Sequence, residues 1–198
     1  MNYNLIIDPL PKEYEGYLIK WEFWNGILIS KCLGDTEHFE DNERGNAEKI
    51  YTAFNLLYGR GIPPFDIALK GLKWYLSCGE IKKEQEGSQE EQYFSFEEDH
   101  ERLFSAFMVK YGINLNKTSE LHFFEFIALM NDLSKTAFRN VVDLRMIKPK
   151  DMKNYSREQK QEILKQKRKF AIKKALENKY TEKQKQAIDN FDKLMGIK

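Results

Sequence analysis

Apolar positions along this chain recur mostly at three- and four-residue spacing, the pattern of helices that each bury one face. The clearest run is residues 93–126. There Leu103, Phe104, Phe107, Met108 and Tyr111 fall on one stripe. Ser95 and Glu98 stand ahead of it at capping-box spacing. Gly112 follows where a helix end favours a left-handed residue. Leu121-His122-Phe123-Phe124-Glu125-Phe126 then opens a second helix, so the spacing predicts a central pair over about 96–111 and 119–134. The same period predicts three earlier helices. One spans about 20–33, with Trp21, Trp24, Leu28 and Cys32 on one face and Gly34 after its end. The next spans 46–58 with Ile50, Phe54, Leu57 and Tyr58. The third spans 65–78 with Ile67, Leu69, Leu72, Tyr75 and Leu76, launched by Pro63-Pro64, whose missing N–H groups cost nothing in a first turn. The strand signal is confined to the N-terminus. Leu5-Ile6-Ile7, stopped by Asp8-Pro9-Leu10-Pro11, predicts one edge strand that pairs near Tyr17–Ile19.

Toward the other end, residues 135–149 mix a short helix with an extended exit, because Lys148 precedes a proline. Ser156 with Gln159, and Thr181 with Gln184, repeat the capping-box spacing. They predict a long charged helix over about 157–179 and a last one carrying Ile188, Phe191 and Leu194. The fold class expected is mainly α: a compact multi-helix domain with a small N-terminal β-hairpin and a long charged C-terminal helical extension. The division expected is a helical domain over 1–150 and a basic extension over 151–198. Residues 80–92 (EIKKEQEGSQEEQ) are polar and acidic and are expected to form a flexible linker.

Composition sharpens this picture in one respect. Of 198 residues 32% are charged, yet the net charge is only +1. The balance conceals a split: residues 151–198 hold 14 basic against 7 acidic side chains, whereas 1–150 hold 18 against 24. Such asymmetry points to self-association or a charged partner, and a solvated helix also accounts for it. Cys32 and Cys78 are too few for a disulfide framework and read as reduced packing residues. Met1–Leu10 lacks the basic start and long apolar run of a leader, and no window of about 18 apolar residues exists to cross a membrane. The expected compartment is a reducing cytoplasm.

No chemistry-bearing constellation emerges. His38, His100 and His122 are scattered without ligand spacing, and His122 reads as a satisfied core histidine. Gly59-x-Gly61 leads into prolines rather than Lys-Ser or Lys-Thr. No catalytic residue, metal or cofactor is therefore expected. The basic tract contributes Lys165, Lys167, Arg168, Lys169, Lys173 and Lys174 as a candidate charged surface. It reads as a solvated face, a docking surface for an acidic protein, or a phosphate contact. The last is weakest, because Phe170 is the only aromatic among these charges and base stacking needs more. The aromatics Trp74, Tyr75, Phe104, Phe107, Tyr111, Phe123, Phe124 and Phe126 are rich for their span. Adjacent helical residues lie about 100° apart, so Phe123, Phe124 and Phe126 must either bridge two packing layers or form part of an apolar docking patch.

The motifs occur in a distinctive order: Trp74-Tyr75-Leu76-Ser77-Cys78-Gly79, Phe96 with Asp99, Ala106-Phe107, Tyr111-Gly112-Ile113-Asn114-Leu115, Leu121-His122-Phe123-Phe124, Ala128-Leu129, and Thr136-Ala137-Phe138 leading to Leu144-Arg145. In this the chain resembles, over about 17–148, a family of tailed-bacteriophage tail assembly chaperones of the Gp-fifteen type, encoded next to the tape measure protein. It departs from the family in having Phe123-Phe124 for two tryptophans, Asn114 for an aspartate, and a longer tail beyond about 170. The resemblance implies a protein that binds and shields the long helical tape measure protein during long-tail morphogenesis, in the cytoplasm of the host bacterium. The tail tube protein is a further implied partner. Candidate docking residues are Trp74, Tyr75, Tyr111, Phe123 and Phe124. The competing readings are a nucleic-acid-binding accessory protein using the basic C-terminal helix, and a structural component that stays in the tail.

Overall fold

A computed structural model describes residues 3–35, 38–39, 42–80 and 93–172. Among these the protein is mainly helical, with a two-stranded antiparallel hairpin near the N-terminus. Its backbone divides into two compact units: Met1–Ser88 with Tyr111–Asp132, and Gln89–Lys110 with Leu133–Lys198.

The first unit holds strands β1 (Glu13–Tyr14) and β2 (Tyr17–Leu18) and helices α1 (Phe23–Leu33), α2 (Glu43–Tyr58), α3 (Phe65–Leu76) and α5 (Phe123–Asn131). β1 and β2 pair Glu13 with Leu18 and Tyr14 with Tyr17, joined through Glu15 and Gly16, both at positive φ as a two-residue hairpin turn requires. The expected strand at Leu5–Ile7 is not formed. Residues 4–8 close a turn instead: the Asp8 N–H donates to the Asn4 carbonyl at 2.8 Å, and the Asn4 side chain accepts from the Ile6 N–H at 3.0 Å. Asparagine competes effectively for local backbone groups, and the prolines at 9 and 11 deny a strand its donors.

α1 begins at Phe23, not near residue 20, and buries a different face from the expected one. Residues 21–23 run extended beside 121–123, with the Phe23 N–H donating to the Leu121 carbonyl at 3.1 Å and the Phe123 N–H to that of Trp21 at 3.0 Å. The buried positions are Phe23, Asn25, Gly26 and Ile29, while Trp24 and Leu28 of the expected stripe are exposed. The cause is local. A Cβ at Gly26 would lie 2.1 Å from the Phe123 ring, so the smallest position of α1 is where α5 lays its first aromatic. α2 is capped by Asn42, whose side chain accepts from the Gly45 N–H at 2.8 Å, and it buries Ala53, Phe54, Leu57 and Tyr58. α3 buries Ala68, Gly71, Leu72 and Tyr75.

The second unit holds α4 (His100–Tyr111, except its last residue), α6 (Ala137–Met146), a 3-10 turn (Pro149–Met152) and α7 (Arg157–Lys169). α4 starts four residues later than its capping-box spacing predicts. Ser95 Oγ does accept from the Glu98 N–H, at 3.3 Å, but the Ser95 N–H donates to Asp99 Oδ2 at 3.0 Å rather than to Glu98. α4 buries Leu103, Ala106 and Phe107, and α6 buries Phe138, Val141 and Val142. Ser156 and Gln159 form the expected reciprocal cap of α7, which has no buried residue. α7 ends at Lys169 rather than continuing toward 179: Phe170 leaves the helical conformation and its carbonyl is taken by Arg145. Residues 81–92 of the expected linker and the last helix lie outside the described residues.

Candidate functional site

In the first unit the aromatics Tyr75, Phe123 and Phe124 are core. Tyr75 is 0% exposed, and Phe123 and Phe124 are each 2% exposed. The Phe123 ring stacks on Tyr75 at 4.9 Å and occupies the space at Gly26. The Phe124 ring also lies 6.0 Å from Tyr75 and reaches on to Trp74, edge-on at 5.5 Å, and to Tyr3 at 5.2 Å. Tyr75, Phe123 and Phe124 thus offer no surface to a partner. Burial pushes the Tyr75 hydroxyl pKa far up, and its oxygen lies 3.4 Å from the carbonyls of both Lys20 and Glu22. Trp74 is half-buried against Tyr14 at 5.0 Å. Tyr111 is half-buried too, its hydroxyl donating to the Leu129 carbonyl at 2.9 Å.

His122 is the joint of this core. It is fully buried, and its two ring nitrogens have opposite tasks. Nδ1 lies 3.0 Å from the Phe124 N–H, which can only donate, so Nδ1 accepts. Nε2 lies 2.9 Å from the Pro11 carbonyl, which can only accept, so Nε2 carries the proton. Glu125 closes a capping box by accepting the His122 N–H at 3.1 Å. The indole of Trp21 stacks on the imidazole at 5.8 Å. The ring is therefore neutral, and burial lowers its pKa against the opposing pull of the Pro11 hydrogen bond and nearby Glu125.

The second unit has a charged counterpart. Asp99 is 1% exposed and receives two bonds from the Arg145 guanidinium, Nη1 to Oδ2 at 2.5 Å and Nη2 to Oδ1 at 3.0 Å. Arg102 adds a contact at 3.3 Å. Arg145 also donates to the backbone carbonyls of Tyr93, at 3.1 Å, and Phe170, at 2.6 Å. One planar fork thus fastens residues 93–99, α6 and the end of α7. The motif residues Asp99 and Arg145, 46 positions apart, prove to be partners.

Of the basic tract, Lys165, Arg168 and Lys169 are exposed on α7. Lys167 is half-buried and its ammonium donates to the Ile147 carbonyl. Lys169 lies over the Phe170 ring at 5.6 Å. Lys173 and Lys174 fall outside the described residues.

Exposed apolar side chains include Trp24, Leu28 and Met108 of the expected stripes and an aromatic pair outside them. Tyr51 on α2 is 54% exposed and Phe65 at the start of α3 is 49% exposed. Their rings are 6.4 Å apart, and both rest on buried Phe54, at 6.0 and 5.8 Å. The sequence signal available was an aromatic at the edge of the buried stripe: Tyr51 stands three residues before Phe54 and seven before Tyr58, at the margin of that face. Among the described residues no group of three or more His, Cys, Asp or Glu is placed to hold a metal ion, and no helix is long and apolar enough to cross a membrane.

The sequence model of one family, described as "Bacteriophage Gp15 protein", matches residues 6–172. No curated protein and no solved structure matches the chain.

Proposed function

Because this chain belongs to the bacteriophage Gp15 protein family, we propose that it acts as a tail assembly chaperone, binding and shielding the tape measure protein while a long phage tail is built. The reading combines that membership with the motif resemblance over about 17–148. The observation that carries it is the aromatic pair Tyr51 and Phe65, held open to solvent on a rigid base at Phe54. A long amphipathic helix exposes an apolar stripe and aggregates when alone, and an apolar helical surface is what such a stripe docks on. Many modest contacts along a long partner give avidity while each stays reversible, as later replacement by tail tube subunits demands. The role is stoichiometric binding in the host cytoplasm, without turnover, metal or nucleotide. The docking residues we assign are Tyr51 and Phe65 in place of the buried Tyr75, Phe123 and Phe124.

Co-expression with the adjacent tape measure gene tests this. The tape measure protein is expected to stay soluble and co-purify with the chain. Tyr51→Ser with Phe65→Ser is expected to weaken co-purification while the melting temperature stays within a few degrees of the parent's. A tape measure protein that stays insoluble beside the unaltered chain overturns the chaperone reading. Undiminished capture by the double variant overturns the assignment of the surface alone.

A further inference from the structure

The two units differ in charge. Met1–Ser88 with Tyr111–Asp132 hold 17 acidic against 11 basic side chains, a net of −6. Gln89–Lys110 with Leu133–Lys198 hold 14 against 21, a net of +7.

Each unit also presents an apolar feature set in its own sign of charge. In the acidic unit the turn at residues 4–8 raises Leu5, Ile6 and Ile7 into solvent, with Ile6 95% and Ile7 78% exposed. This knob is built, not frayed. Asp8 Oδ2 accepts the Asn4 N–H at 2.7 Å, the Tyr3 hydroxyl donates to the Asp8 carbonyl at 3.0 Å, and the Tyr3 ring is seated on Phe124 at 5.2 Å. Its flank is acidic. After burial, the charges of Asp8 and Glu125 are what push the Tyr3 hydroxyl pKa up. In the basic unit, Leu164 of α7 is 45% exposed. Lys160 and Arg168 lie one helical turn to either side of it, and Lys165 follows it.

From this complementarity of charge and of apolar surface we infer that the protein associates with a second copy of itself head to tail, the Leu5–Ile7 knob of one copy docking on the basic Leu164 face of α7 in the next. An interface of this kind is heterologous: it joins unlike surfaces, so it closes a ring or grows a row. The proposal is independent of what the protein shields. Like charge also disfavours an anionic lipid surface as the occupant of the acidic knob.

Sedimentation of the full chain, purified without other phage proteins, tests it. Assemblies larger than the protomer are expected at about 0.01 M salt and should dissociate toward about 1 M, as the screening length shrinks from about 30 Å to about 3 Å. Ile6→Glu and Leu164→Glu each alter an exposed position, so unchanged circular dichroism melts will show that both variants fold. Each is expected to be a protomer by itself. Mixed in equal amounts they should form a dimer that grows no further, because one intact knob and one intact α7 face remain. A parent chain that is a protomer at every salt concentration overturns the inference. So does assembly that survives both variants, or a mixture that stays dissociated, as a symmetric contact would leave it.

Discussion

The two polar joints of this protein solve the same problem with opposite chemistry. In the first unit His122 is buried as a neutral ring, with one nitrogen accepting and the other donating. In the second, the buried Asp99 is paired with the half-buried Arg145, whose charge also gathers two carbonyls. A buried polar group must be satisfied. The neutral joint holds only while the ring is unprotonated. The charged joint holds only while both partners remain. The difference teaches that these units should fail under different insults.

The largest effect is expected at the charged joint. Arg145→Ala leaves Asp99 buried without its main partner, and breaking such a pair costs about 3–5 kcal/mol. Urea unfolding should show a transition displaced by that amount, and Asp99→Ala combined with Arg145→Ala should cost less than the sum of the two singles. Additive losses would show that the pair is not coupled.

Next comes the contact of α1 with α5. Gly26→Ala forces a methyl toward the Phe123 ring, and overpacking of this kind costs about 1–3 kcal/mol. The comparison site is Gly112, where a Cβ meets nothing within 4 Å although φ is +67°. Gly112→Ala is expected to cost about 1 kcal/mol, from backbone strain alone. Equal melting temperatures for the two variants would break the steric account of the α1 face.

A smaller effect separates the joints by pH. His122 has its folded pKa below the ordinary 6.5, so the unfolded chain binds the proton more readily. Its contribution to stability is complete above about 6.5 and declines as the pH falls below that, until the folded pKa is reached. Thermal melts at pH 7.5 and 5.5 should differ for the parent, and the difference should shrink in His122→Asn, which can still cap the helix but does not titrate. An undiminished difference would locate the acid sensitivity elsewhere.

The smallest effect on stability is expected at the exposed aromatics. Tyr51→Ser changes a side chain that is mostly in water, and surface changes of this type fall within about 0.5 kcal/mol. A large loss would move Tyr51 from the docking surface into the core.

Among the described residues, the sequence by itself determined the helices, their order and much of their capping. Helical periodicity and local caps need only neighbours within four residues, which is why α2, α3 and the Ser156–Gln159 cap of α7 are legible in it. It also carried the N-terminal hairpin through Tyr17, although not its first strand, because the Asn4–Asp8 turn competes for the same backbone. Only the tertiary structure decided which faces are buried. Trp24 and Leu28 satisfy the period as well as Phe23 and Ile29 do, and the absent side chain of Gly26, met by Phe123 from a helix nearly 100 residues away, settles the choice. Tyr75, Phe123 and Phe124 went inward for the same reason: a side chain's burial depends on what arrives from distant chain, and local spacing does not encode it. The capping-box spacing points to Glu98, whereas in the fold Asp99, held by the guanidinium of Arg145, accepts the Ser95 N–H instead. The candidate surface became visible only as what this packing left outside.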